Sequence, residues 1–269
     1  VSPLSFVEWD IRIGHAAVMV RRRRARLGLR GWQRSDSVGL APCEGPDRGA
    51  GAAWPAALDG LLQQLGQARA PGARARVVLS DSMVRYAVVP WNPALAGVEE
   101  EAVFLRHRFG QLYDAGTAEW DIRVDRQHGE RARIASAVDP AQLAALGELL
   151  RARGIRLRSV VPALADTVGR HLSRLKEPAG WLLYHDAGLL SMARWEDGAW
   201  MCARSFRVDH RWRAVLPALL AREECLHDGQ REAAAVYIED ASGAAGGMPE
   251  MQGWRVQELR AAERAGEGA

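Results

Sequence analysis

The residues from Arg133 to Pro162 leave the chain little choice of local structure, and they read as strand, helix, strand. Asp139 stands where a helix N-cap belongs, and Pro140 follows at the first helical position, where its missing N–H costs nothing. Leu143, Leu146 and Leu150 mark one helical face, and Gly154 supplies the C-terminal stop. Ile155, Leu157, Val160 and Val161 then restart an extended segment. Two strands joined by a helix of this length are expected to be parallel neighbours with a right-handed crossover. The chain is therefore an α/β protein.

At 269 residues and 48% hydrophobic, the chain can bury a full core and is expected to form two domains or subdomains. It has no apolar run of about 18 or more residues, so no membrane span is expected, and no cleavable signal is visible. Cys43, Cys202 and Cys225 lack metal-ligand spacing and read as reduced thiols, which points to a cytoplasmic location. Lys176 is the only lysine among 36 basic residues, a bias of GC-rich coding more than of nucleic-acid binding. A net charge of +3 is too small to imply a polyanionic partner, so no nucleic acid is expected.

Three N-terminal strands are expected at 6–11, 16–22 and 24–32, the last with apolar and charged residues alternating. The arginine run Arg21 to Arg24 then falls in a turn and reads as a solvated loop. A helix over 54–65 turns Leu58, Leu61, Leu62 and Leu65 inward. Two β runs, 76–79 and 84–89, flank the turn Ser80-Asp81-Ser82. A second helix over 98–113 carries Val98, Ala102, Leu105, Phe109 and Leu112 as its apolar stripe, with Glu99, Glu100 and Glu101 at its positive end. After a strand at 119–125, the crossover and a helix at 162–175, residues 176–180 read as a linker. Strands at 181–184, 189–195 and 200–208 follow, with Asp197-Gly198 as a hairpin signal. A helix at 212–226, a strand at 235–238 and a strand at 254–259 complete the chain. Both halves thus run three meandering strands, a helix and another strand, the echo of a duplicated two-lobed domain.

That order resembles the actin-like ATPase (ribonuclease H-like) fold, within it the PilM-like proteins of type IV pilus assembly, and the cytoplasmic part of the type II secretion L subunit. Four stretches carry the likeness: Phe6 to Asp10 with Ala16 to Val20, Val77 to Tyr113, Ile134 to Arg170, and Trp181 to Arg204. The resemblance implies an α/β protein of two lobes, each with a mixed sheet, at 1–175 and 176–269. It also implies a phosphate turn in each lobe. The matching residues are Asp10 and Gly14, then Asp186 and Gly188, with Gly243, Gly246 and Gly247 on the adenosine side. Such turns need small residues so that backbone N–H groups can approach the anion. Ile11 and Ile13 replace them in the first turn, and Leu189 and Leu190 in the second. The site therefore reads as degenerate, with no bound cofactor expected; ATP with magnesium belongs to the alternative. Asp10 and Asp186 also read as ordinary turn residues after strands, the reading preferred for Asp186, and the glycine loop reads equally as a flexible connection.

No other catalytic set stands out. Ser80-Asp81-Ser82 lacks the GxSxG context. His107 falls on the polar side of the Glu-rich helix, His185 and His210 have no partners at metal spacing, and the ten tryptophans read as packing. The function expected is a non-catalytic or weakly catalytic cytoplasmic assembly scaffold of a pilus or secretion machine, reaching the membrane only through its partner. By resemblance it grips the short cytoplasmic tail of an inner-membrane protein in a first-lobe groove. Val84, Tyr86, Val88 and Trp91 are the candidate groove residues, with buried core as the equal alternative. The rival reading is a working ATPase of the same superfamily.

Overall fold

The computed structural model describes residues 5–14, 17–28, 31–42, 50–66, 70–95, 97–113, 119–125, 129–226, 235–242, 251 and 253–259. The chain divides into two compact units, one of residues 1–84 with 138–163 and one of residues 85–137 with 164–269. This division joins the segment 85–137 to the C-terminal half, whereas the sequence reading groups residues 1–175.

The first unit is built on a five-stranded sheet of order β3-β2-β1-β4-β8. Its strands are β1 (Ser5–Ile13), β2 (Ala17–Gly28), β3 (Gly31–Pro42), β4 (Ala73–Leu79) and β8 (Ile155–Pro162), with helices α1 (Ala50–Leu65) and α3 (Pro140–Ala152). β1, β2 and β3 run antiparallel in turn, while β4 lies parallel to β1 and β8 parallel to β4. Trp9, Ile11 and Ile13 alternate along β1 onto one face and are buried with Val18, Val20, Val77 and Leu79. α1 covers this face: a Cβ on Gly39, opposite Val20, would collide with the Gln64 side chain. The other face carries Met19, Arg21 and Arg23 on β2 beside Val38 and Leu40 on β3. Glu8, Asp10 and Arg12 continue it on β1, then Arg74 and Arg76 on β4, then Arg156 and Arg158 on β8.

Two expectations fail here. The arginine run lies inside β2, which continues to Gly28, and β3 begins at Gly31, so the expected third strand at 24–32 is divided between β2 and β3. Four successive arginines fit a strand because they alternate between faces. Arg23 reaches Asp10 at 3.8 Å, while the Arg22 guanidinium stacks 5.2 Å from the centre of the Trp9 ring. Leu62 of α1 is also exposed, the inward side being held by Trp54, Ala57, Leu61 and Leu65.

The second unit holds a sheet of order β11-β10-β9-β12-β13. Its strands are β9 (Ala179–Asp186), β10 (Leu189–Glu196), β11 (Ala199–Arg207), β12 (Ala235–Asp240) and β13 (Arg255–Glu258), with helices α4 (Ala163–His171) and α5 (Trp212–Leu226). Third, second, first, fourth, fifth is the same order as in the first unit, with the same antiparallel and parallel pairings. Trp212, Leu216 and Leu220 of α5 pack with Trp181, Leu183, Met192, Val236 and Ile238.

The second unit also contains a three-stranded sheet, β5-β7-β6, of β5 (Arg85–Val89), β6 (Asp121–Val124) and β7 (Arg133–Val138), with α2 (Val98–Tyr113). Ala87, Val89, Ala135 and Ala137 face α2, which inserts Leu105 and Phe109. Val98 and Leu112, expected within that stripe, are exposed at 69% and 48%. β4 and β5 are not partners: Asp81–Met83 forms a single 3-10 turn between strands of different sheets. The expected crossover is overturned in the same way. Asp139 caps α3 through the Ala141 N–H at 2.8 Å, as its position demands. Yet β7 runs antiparallel to β5, while β8 joins β4 in the other sheet. α3 carries the chain from one sheet to another, a choice that strand–helix–strand patterning leaves open.

Candidate functional site

The second candidate phosphate turn is shaped by the meeting of β9 and β10. Asp186 pairs with Leu189, so only Ala187 and Gly188 make the connection, at φ of 45° and 87°. That is the backbone of a tight two-residue hairpin, not of an open anion cradle. Leu189 and Leu190, expected in the turn, instead begin β10 and are buried. The Gly188 N–H donates to His185 Nε2 at 3.2 Å. With Nε2 accepting, the ring proton sits on Nδ1, which lies 2.9 Å from Asp240 Oδ1.

Asp240 ends β12 and gathers the remaining donors. The Ser242 N–H and hydroxyl both reach its Oδ1, at 2.9 and 2.5 Å, and Arg213 from α5 pairs with the other oxygen. Burial alone would raise this carboxyl, but the hydrogen bonds from His185 and Ser242 outweigh it and hold the group at about 2. Trp212 stacks on His185 with 4.5 Å between ring centres. Serine, histidine and aspartate are the types of a nucleophilic triad, but their connections differ. Asp240 takes both the serine hydroxyl and the imidazole N–H, while Nε2 is occupied by Gly188. The imidazole is therefore not placed to deprotonate Ser242, and the set ties the end of β12 to the β9–β10 turn.

On the opposite face of β12, Glu239 is held by Arg170 through two bonds of 2.6 and 2.8 Å and by His171 at 2.6 Å. Arg170 also binds Asp166 at 2.9 Å. The Arg170 guanidinium stays charged: burial opposes it, but the bonds and charges of Glu239 and Asp166 raise its pKa. These contacts dock α4 on the sheet.

In the first unit Asp10 is inside β1, three residues before its end, and lies 3.9 Å from Arg76. It is not a turn residue. The Gly14 N–H closes the β1–β2 connection onto the Ala17 carbonyl at 2.8 Å, and Ile11 and Ile13 point into the core instead of crowding a turn. Gly243, Gly246 and Gly247 lie outside the described residues.

A cleft of about 310 Å³ opens in the second unit. Its floor is the face of the three-stranded sheet turned away from α2, with Tyr86 opposite Ser136 and Ile134 beside them. One wall is α4, presenting Leu164, Val168 and Gly169, continued by Leu172 at the start of the 3-10 turn that follows; Trp200 of β11 and the polar pair Arg123 and Asp125 complete the rim. Of the four expected groove residues, only Tyr86 lines this cleft. Its carbonyl accepts from the Tyr113 hydroxyl at 2.6 Å, which ties β5 to the end of α2. Val84 is buried, Val88 is half-buried on the Tyr86 face, and Trp91 is exposed beyond the end of β5. This wall was legible in principle, since Leu164 and Val168 of α4 and Leu172 just after it recur every fourth residue.

No protein-family model matches this sequence, and no curated protein shows significant similarity to it. Solved structures do. The cytoplasmic domain of EpsL, an inner-membrane component of the Vibrio cholerae type II secretion system, is 13% identical with a TM-score of 0.56, over 95% of this chain and 90% of that one. A Bacteroides thetaiotaomicron protein of unknown function with an actin-like ATPase fold is 10% identical with a TM-score of 0.54, over 87% and 81%. The PilM–PilN type IV pilus biogenesis complex gives 15% identity and a TM-score of 0.52, again over 87% and 81%. The chain has the actin-like ATPase fold.

Proposed function

We propose that this chain is an assembly component of a type IV pilus or type II secretion machine, holding a peptide of an inner-membrane partner. The likeness to EpsL and to PilM in complex with PilN supports the class. The observation that carries the site is the cleft beneath Tyr86, walled by α4 and rimmed by Arg123 and Asp125. Its lining is apolar with a few polar groups, suited to one or two apolar side chains of an extended segment. β6 is an end strand of its sheet, so such a segment can add main-chain hydrogen bonds there. No helix of the described residues is long and apolar enough to cross a membrane. On this reading location comes from the partner and the protein works by holding, not by hydrolysis. The engaged Gly188 amide and the buried Leu189 and Leu190 support that part.

The test is capture of the partner from host membranes, its identification, and titration of its cytoplasmic peptide against two variants. Tyr86→Ala is expected to weaken binding by about 1–4 kcal/mol, as aromatic anchors do. Gly169→Leu fills the cleft from α4, where an added Cβ meets no atom within 4 Å, and should abolish binding while leaving the melting temperature intact. A folded Gly169→Leu protein that binds the peptide as tightly as wild type would remove the cleft from the reading.

A further inference from the structure

The side of α2 turned away from its sheet has a symmetry of its own. Leu105 and Phe109 fill the core beneath the helix, and Glu101 pairs with Arg133 at 2.7 Å. The opposite stripe centres on Val103, an apolar residue that is 61% exposed. Beside Val103 lies a shallow hollow of about 490 Å³, to which Leu95 and Phe104 also contribute. An apolar side chain is a better occupant of such a hollow than water.

The charges on this stripe change sign at Val103. Glu99 stands one turn before it and Arg106 one turn after, and both are exposed. Glu100 and His107 flank them, the His107 ring meeting Gln111 at 3.0 Å. Turning such a helix end for end exchanges its acidic and basic ends and leaves the valine in place. The stripe is therefore complementary to a copy of itself running the other way: Glu99 meets Arg106, Val103 meets Val103, and Arg106 meets Glu99.

We propose that this stripe docks on the same stripe of a second copy of the chain, the two α2 helices lying antiparallel about a two-fold axis at Val103. The contact is isologous and closed, so it makes a dimer and nothing larger. Each Val103 enters the hollow of the other copy, and each ion pair forms twice. Glu100 keeps its own contacts, and the pairing asks nothing of it. Charge sets the register, and the valines and the hollows supply the area removed from water. One helix pair is a small contact beside the roughly 1,200–2,000 Å² of a stable complex, so the dimer is weak and forms at high concentration. It leaves the peptide cleft free, whose floor is the face of the sheet turned away from α2.

The experiment is sedimentation equilibrium on the whole chain at low salt, over a series reaching on the order of 1 mM. Wild type is expected to pass from monomer to dimer. E99R sets arginine against arginine in both pairs and R106E sets glutamate against glutamate, so each should weaken the dimer by about tenfold or more. The double variant E99R/R106E restores both pairs and should return to wild-type association. An equal mixture of the two single variants should form a heterodimer, which also shows that both are folded. A second readout is oxidative cross-linking in a C43S/C225S chain. V103C places one thiol against another at the two-fold axis and should give a disulfide dimer. V98C, about 140° round the helix and as open to solvent, should not. Wild type that stays monomeric throughout overturns the proposal. So does a double variant or a mixture that fails to associate, or cross-linking of V98C as fast as V103C. If wild type is monomeric and E99R instead weakens capture of the inner-membrane protein, the stripe belongs to that protein and not to a second copy.

Discussion

Single side chains in the second unit show how environment sets chemistry. Cys202 is buried in the α5 core, and desolvation pushes its thiol up to about 12, whereas Cys225 is exposed. The thiolate is the reactive form. Iodoacetamide at neutral or mildly alkaline pH should therefore label Cys225 and spare Cys202 until denaturant is added, which peptide mass mapping can check. Asp240 is the opposite case. Its folded value of about 2 lies below the ordinary 3.8, so its contribution to stability is complete above that ordinary value and fades as pH falls toward 2. Asp240→Asn should cost about 1–2 kcal/mol at pH 7, discounted for partial exposure, and almost nothing near pH 2. Chemical denaturation at the two pH values would measure it. The surroundings of Asp240 were only partly written in the sequence: Ser242 is two residues on, but His185 and Arg213 meet Asp240 only after β9, α5 and β12 assemble.

At the scale of elements, local signals held wherever the element was defined by its own residues. α2 and α5 span the lengths their apolar spacing indicates, and Asp197-Gly198 turns β10 into β11 at positive φ. The N-cap of α3 is equally local, and Asp139→Ala should destabilise the unit by about 1 kcal/mol in thermal unfolding. What failed was partner choice: β4 and β5, and β7 and β8, are adjacent in sequence yet belong to different sheets. The docking of α4 also depends on a contact invisible locally, the buried pairing of Arg170 with Glu239 on β12. Arg170→Met leaves Glu239 with His171 alone among the described residues and should cost about 3–5 kcal/mol. Guanidinium denaturation of both proteins gives that number directly.

For the whole molecule, the repeated strand order decides the fold class and the turns bear on nucleotide binding. A ligand present at about 100 times its Kd would stabilise the protein by about 2.7 kcal/mol. We expect Mg-ATP to leave the melting temperature unchanged, since the Gly188 amide is bound by His185 and Gly14 closes on Ala17. A clear rise in scanning fluorimetry, lost in Asp186→Ala, would instead favour the ATPase reading.

The amino-acid order by itself determined the α/β class, the bounds of most helices, and the doubled succession of three strands, helix and strand. Periodicity and capping act between residues a few positions apart, so they are written locally. The order of both five-stranded sheets, the face that each arginine of β2 takes, and the cleft between Tyr86 and α4 were decided only in three dimensions. Strand pairing and cleft lining join residues separated by tens of positions, and many partners share the same apolar pattern. Burial and hydrogen-bond satisfaction select one arrangement only when the whole chain competes for them.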